Sequence, residues 1–430
     1  MAHSLLIEGG NQLALGTSLG PLQDGATAVV IGGGPAGCSV ALMLLRLGRE
    51  SGKRFKVRLF EPKHFGMHYN QCLGVLSHPL LDIPRDDFDI KLPDSMIQRR
   101  ISGYELLTSR DRIVLEEGEE DTLAVRRVEF DKYLLKAAGE AGAEIVRSRV
   151  TALELNPDGV NIFSEGEHTR ADVVFGCFGL DPGMITALRR HSFYRPPRVI
   201  ETLITKYDCD AELLAGFDNR IQTFLPRLEG VEFAAITPKA RHASVVLAGR
   251  RVSLAQLGHF LDLPQVKRFL PRDFSIGDVF KGSFPGSPAR HYFEDRFVAV
   301  GDAAGMIRPF KGKGINSAVI TGGIAACTAV KHGISRRAFR NYQIECNFII
   351  RDYPYGRFVR FMAKLLSKKL SLGPVIRYAG RNEEFRWALT KSISGGATYR
   401  DIVLRCLRPD IALGLLGAYL SAPFHRRHGG

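Results

Sequence analysis

Residues 27–48 read TAVVIGGGPAGCSVALMLLRLG, and few folds accommodate such a segment. Ala28 to Ile31 form a short, apolar, β-branched run, the pattern of a parallel strand buried on both faces. Gly32-x-Gly34-x-x-Gly37 follows at once, and Pro35-Ala36 opens an Ala/Leu-rich stretch of helical character. Gly32 permits a tight turn, Gly34 lets the main chain approach a pyrophosphate, and Gly37 allows the helix to pack closely on the strand. Free N–H groups at the helix N-terminus then face the anion. A second strand, Phe55 to Phe60, ends at Glu61, where a carboxylate accepts ribose hydroxyls in a βαβ unit. An acid there disfavours a 2′-phosphate, so FAD or NAD is expected before NADP. Gly32, Gly34, Pro35, Ala36, Gly37 and Glu61 are the candidate contacts on this side.

Residues 297–318, FVAVGDAAGMIRPFKGKGINSA, repeat the theme far downstream. Phe297 to Val300 read as a strand closing on Gly301-Asp302, and Gly312-Lys313-Gly314-Ile315-Asn316 opens a small-residue helical stretch through Ala329. A second strand–loop–helix carrying an acid suits a ligand that spans both units. Asp302 would bond a polyol hydroxyl, and the glycine-rich helix start would aim N–H groups at an electron-accepting ring.

GGGPAG (32–37) paired with GDAAG and PFKGKGIN (301–316) resembles the FAD-dependent oxidoreductases of the geranylgeranyl reductase and aromatic hydroxylase superfamily. Val125-Arg-Arg127-Val-Glu-Phe130-Asp131-x-x-Leu134 resembles the V-x-R-x-x-F-D-x-x-L segment whose Arg approaches the FAD. Arg127 holds the matching position, with Arg126 one residue out of register. The strand expected over 141–150 would bring Val150 beside the adenine. Pro309-Phe310-x-Gly312-x-Gly314-Ile315 is similar to the P-F-x-G-x-G-I of the geranylgeranyl reductase branch. Tyr69–Ser77 resembles its C-G-G-G-L-S segment with Cys72 on the matching Cys, and Ser392–Arg408 resembles its helical tail. That branch commonly shows P-x-x-Y-x-W-x-F-P along its lipid cavity. Here Gly230–Pro238 keeps the final Pro and one aromatic, with Ala235 in place of Trp and Thr237 in place of the last Phe. The same segment lacks the W-x-W-x-I-P of flavin halogenases. Lys311 and Lys313 are unusual in such a loop, and either favour an anionic reduced flavin or lie in solvent.

The resemblance implies an α/β chain with a Rossmann-type FAD-binding domain on a parallel sheet (27–95, 124–185 and 290–335). An inserted α+β substrate domain with an antiparallel sheet (96–123 and 186–289) and a C-terminal helical basic region (336–430) complete it, after an irregular leader (1–26). It also implies FAD and a reductase acting on C=C bonds of an isoprenoid or similar hydrophobic substrate. A flavin monooxygenase using NAD(P)H and oxygen, and a non-catalytic or electron-relay flavoprotein, are the alternatives. Hydride delivery to one carbon requires a proton donor for the other. Cys72 is the candidate, its alternative role a small apolar wall. With no second dinucleotide fingerprint, the electron donor is expected to be NAD(P)H bound transiently or a reduced ferredoxin.

Charge separates the two halves of the chain. Residues 1–240 carry 28 Lys/Arg and 33 Asp/Glu, whereas residues 241–430 carry 31 and 12. No recognition helix or basic-aromatic RNA motif accompanies the excess, so nucleic acid is not an expected partner. An acidic donor protein or an anionic membrane surface is. Tyr355–Leu370 spaces Phe358, Phe361, Met362, Leu365 and Leu366 at helical intervals among Arg357, Arg360, Lys364, Lys368 and Lys369. Such a helix either docks on headgroups or packs on its own domain with a solvated basic face. The seven cysteines lack zinc-type spacing and are expected as reduced thiols of a cytoplasmic protein, at most at the inner face of a membrane.

Overall fold

A computed structural model describes residues 18–65, 72–77, 91–116, 122–308, 314–368 and 370–421. Its organising element is the strand Thr27–Ile31, with parallel neighbours Lys56–Phe60 and Val173–Gly176 on its two sides. Ala28, Val29 and Val30 are fully buried, which is why the sequence runs apolar without alternation. Phe297–Ala299 and Glu144–Val146 extend the parallel sheet outwards, and Phe293–Glu294 adds an antiparallel edge. The helices Pro35–Glu50 and Gly314–Lys331 follow the two glycine-rich loops and pack on each other through small residues. A Cβ on Gly322 would stand 2.6 Å from the Ala36 carbonyl oxygen, and Ser39 Oγ donates to Val319 O at 2.6 Å. Gly301 sits against Ala36 and Ala318, so both loops open on one edge of the sheet. Within the expected leader, Leu22 is buried in this core and its N–H donates to Ala329 O.

The second large sheet has seven strands in the order Val279–Pro285, Val199–Asp208, His242–Gly249, Val231–Pro238, Arg220–Phe224, Gly103–Leu107 and Arg112–Glu116. Its neighbours run antiparallel except Arg220–Phe224 beside Gly103–Leu107, which are parallel. Those two strands come from separate insertions, so no hairpin dictates their direction. One face, with Leu203, Val245 and Ile236, is covered by Leu257 and Phe260 of the helix Leu254–Leu261. Ile204, Val246 and Ala235 on the other face pack against Val375, Ile376, Phe385 and Ile393. The C-terminal helical region is therefore the cover of this sheet. A small sheet of Val75–Leu76, Thr122–Val125 and Ile97–Ile101 bridges the two large ones.

Tyr355–Leu370 falls in a helix as expected, but its basic side chains do not all lie in solvent. In the helix Asn347–Lys368, Arg360 turns inward to form a two-pronged pair with Glu232, joined by Lys364 at 3.8 Å, and Lys368 Nζ donates to Leu228 O. Phe358 and Phe361 instead lie 44% and 59% exposed. A buried carboxylate on a distant strand outweighs the intrinsic preference of the aromatic face for the interior.

Candidate functional site

The first glycine loop is shaped by contacts that forbid side chains. Gly32 adopts φ +105, and a Cβ there would meet Cys177 O at 2.4 Å. At Gly37 a Cβ would stand 1.9 Å from Gly32 O, so the helix can approach the turn only with glycine. Gly34 is the extended N-cap of the helix, without a side-chain cap, and its Cβ position meets nothing within 4 Å. Pro35 stands in the first turn, where a missing N–H costs nothing, and Ala36 is buried behind it. Glu61 closes the loop: its carboxylate accepts from Gly33 N and Lys63 N, both at 2.9 Å.

The second loop faces the first through Asp302. Its Oδ1 is buried and has no hydrogen-bond partner among the described residues. Burial raises its pKa to about 6, against the opposing pull of Arg127. Arg127 Nε donates to the buried Asp131 at 2.7 Å. Burial works against the guanidinium charge, but Asp131 and then Cys72 outweigh it and hold its pKa above the ordinary value. Gly314 starts its helix where a Cβ would lie 3.2 Å from Asp302 Oδ1. Ile315 is buried behind it, and Asn316 Nδ2 donates to Ser77 O at 3.0 Å, tying the Cys72–Ser77 segment to this helix. Pro309 and Gly312, with Lys311 and Lys313, lie outside the described residues. Arg308, just before them, donates to Gly395 O and Ala397 O and lies over the Tyr399 ring. Buried Asp352 accepts from Tyr399 N and Arg400 N, so the tail segment is fastened to the residue that enters this loop. Val150 is buried in the core as the first residue of the strand Val150–Asn156; the strand expected over 141–150 ends at Val146.

These features fit FAD: an orphaned buried carboxylate oxygen at Asp302, an open helix N-terminus at Gly34, and a fixed acid at Glu61. The groups that could hold it are Gly32 to Gly37 for the pyrophosphate, Glu61 for the ribose, and Asp302 for the polyol chain.

Cys72 is half-buried and its Sγ accepts from Gly74 N at 3.2 Å. It lines a cavity together with Arg126, Lys206, Lys239, His242 and Ser244. None of these five is marked by a sequence motif. Lys239 is 3% exposed, and its Nζ donates to Leu73 O at 2.5 Å and Val125 O at 2.7 Å. Burial, with Lys206 nearby, lowers its pKa to about 8, and burial also lowers those of Lys206 and His242. Pro238 directly before Lys239 was the available signal, since the Pro marks where the strand leaves the sheet.

Comparison with known proteins agrees with this geometry. A family described as FAD-NAD(P)-binding matches residues 29–181. The digeranylgeranylglycerophospholipid reductase of Methanococcus vannielii is 26% identical over 325 residues, 72% of this chain and 78% of that protein. The geranylgeranyl diphosphate reductase of Synechocystis is 25% identical, covering 70% and 74%. Among solved structures, a geranylgeranyl bacteriochlorophyll reductase-like protein of Thermoplasma acidophilum aligns at TM-score 0.68 and 20% identity, over 89% of this chain and 98% of that one. A flavin-dependent brominase aligns at 0.63 and 17% identity, over 88% and 98%. The chain thus has an FAD/NAD(P)-binding domain within the fold of the FAD-dependent oxidoreductases.

Proposed function

We propose that this FAD-dependent oxidoreductase reduces C=C bonds of an isoprenoid or similarly hydrophobic substrate, with the bond placed between the flavin loops and Cys72. The observation that carries the reading is the placement of Cys72, held to the flavin-side helix through Ser77 and Asn316 and facing a cavity of the seven-stranded sheet. FAD, when bound and reduced, would supply the hydride. Glu61 would hold its ribose and Asp302 its polyol chain, Arg127 is fixed by its buried pair with Asp131, and Cys72 Sγ would be the proton-carrying atom on the substrate side. The sequence relatives named as reductases support the same direction of chemistry. Dithionite-reduced, anaerobic enzyme is expected to reoxidise on adding a polyprenyl lipid. Reoxidation by oxygen alone, with stoichiometric hydroxylation of substrate, would replace this reading by a monooxygenase.

Two finer points belong to the same proposal. The electron donor is NAD(P)H or a reduced ferredoxin, distinguished by anaerobic titration of the flavin with each. The enzyme rests on a membrane through the helix Pro409–Leu420, which docks by buried Ile411 and leaves Leu413, Leu416 and Leu420 more than half exposed. Leu404 and Leu407 continue that exposure, while no helix among the described residues is long and apolar enough to cross a bilayer. Replacing Leu413, Leu416 and Leu420 by Glu in the full chain is expected to abolish flotation with anionic vesicles, and undiminished flotation would remove the membrane contact.

A further inference from the structure

We propose that Lys239 is a positioning residue for Cys72: its buried ammonium clamps the Cys72–Gly74 turn and keeps the Gly74 N–H aimed at the sulfur. The catalytic consequence of the clamp rests on the reductase reading. Lys239 lies in the turn between the strands Val231–Pro238 and His242–Gly249, where its N–H donates to His242 O at 2.8 Å. Arg99 of the bridging sheet donates to Lys239 O at 3.0 Å and grips the same turn. Nζ in turn donates to Leu73 O at 2.5 Å and to Val125 O at 2.7 Å, so one ammonium joins the Cys72 segment to the strand that leads to Arg127. Gly74 shows how close that join is. It adopts φ +61, and a Cβ there would meet Val125 O at 2.2 Å and stand 3.3 Å from Lys239 Nζ. Its carbonyl accepts from Val125 N at 2.8 Å, and its own N–H donates to Cys72 Sγ at 3.2 Å. Leu73 C=O and Gly74 N–H are the two ends of one peptide group. An ammonium on the carbonyl end therefore polarises the N–H that faces the sulfur.

Methionine would fill the same space without desolvating a charge. Lys239 is 3% exposed, and burial lowers its pKa to about 8 while Cys72 pulls it back up. The other cations lining the cavity are Arg126, Arg127, Lys206 and His242, and among the described residues no carboxylate lines it. Arg126 and Lys206 are exposed, Arg127 is engaged by Asp131, and His242 feels Asp208. Lys239 is thus the cation both buried and bonded to the turn that carries Cys72. In the reductase reading, Cys72 gives its proton to the substrate carbon that does not take the hydride. The S–H bond breaks, a C–H bond forms, and the pair left on sulfur is held by the Gly74 N–H and the nearby ammonium until water returns a proton.

Two measurements on FAD-loaded, full-length protein test this. The first is hydrogen–deuterium exchange in the peptide 72–77, which should be about tenfold faster in Lys239→Met and near wild type in Lys239→Arg. The second is anaerobic reoxidation of the dithionite-reduced flavin by a polyprenyl lipid. There Lys239→Met should lower kcat about tenfold with KM within about twofold, and Lys239→Arg should restore it. In a Cys72→Ala background, Lys239→Met should cost nothing further, because the two act as one unit. Lys239→Gln, uncharged but still a donor, should show the same pattern in smaller measure and covers the case of a Met variant that does not fold. Unchanged exchange in Lys239→Met would overturn the proposal, as would an equal loss of rate with and without Cys72. Loss of flavin from the variants would also overturn it, by assigning Lys239 to the support of the fold. Failure of the lipid to reoxidise wild-type flavin would sink the reductase reading alone, because the exchange does not depend on turnover.

Discussion

The two walls of the candidate site are built on opposite principles. The flavin wall is made of glycine backbone and acids: Gly32, Gly34 and Gly37 with Glu61, and Gly301 and Gly314 with Asp302. The facing wall is a β-sheet whose rows present Lys206, Ser244 and His242, with Lys239 at the turn. On the first wall, function is encoded by what is missing, since a single methyl group would close each approach. On the second it is encoded by which strands lie side by side. The first should therefore fail sharply on small substitutions, and the second should tolerate them with a change in selectivity.

Gly37→Ala should have the largest effect. Its new methyl group would lie 1.9 Å from Gly32 O, and backbone cannot step aside as a side chain can. The expected result is purification without flavin and a loss of about 3 kcal/mol in stability. Gly34→Ala sharpens the contrast, because its Cβ meets no protein atom. That variant should melt within about 1 kcal/mol of wild type as apoprotein, yet bind FAD weakly because the methyl group occupies the anion's place. Absorbance at the flavin band and urea melts of the apo forms check both.

Asp302 comes next, and its sign can be worked out. Burial raises its pKa from 3.8 to about 6, so the folded state holds more protons than the unfolded state between those values. Apoprotein stability therefore falls as pH rises through that window, and the cost is fully present above about pH 6. The size is about 3 kcal/mol. Asp302→Asn should remove the slope, making the apo variant the more stable protein at pH 8 and leaving the two alike near pH 4. Urea melts across that pH series would show it, and parallel curves for the two proteins would rule it out. With FAD bound, the polyol hydroxyl offsets the cost in wild type, and the variant should lose its advantage.

How far the sequence reveals these walls depends on how local their causes are. The glycine loops, Glu61, Asp302 and Arg127 are short-range features, each legible from a strand, a turn and a helix start in succession. Lys206 and Ser244 become neighbours only through the pairing of Val199–Asp208 with His242–Gly249, and no local pattern specifies that register. The parallel pair Arg220–Phe224 and Gly103–Leu107 joins two insertions and is equally silent in sequence. Helical periodicity in Tyr355–Leu370 identified the helix, but not that Arg360 turns inward, because the deciding residue, Glu232, lies on a distant strand. Val150 illustrates a smaller error, in which the intervening strand stops at Val146 and the residue opens the next one.

That helix gives the prediction of smallest effect, and it tests the second wall from behind. Arg360 and Glu232 are 19% and 8% exposed as side chains, so the pair is nearly desolvated. The pull of Arg360, against burial, holds the Glu232 carboxyl below its ordinary range. Arg360→Ala would leave that carboxylate with the more distant Lys364 and Arg250, and a loss of about 2 kcal/mol is expected. Arg357, one turn away and exposed, should cost less than about 0.5 kcal/mol when changed to Ala. A helix with a solvated basic face would show no such difference, because both arginines would then stand in water. Thermal melts of the two variants at low and high salt decide the matter: a gap that persists in high salt reports a buried pair, since ions screen exposed charges and reach desolvated ones poorly.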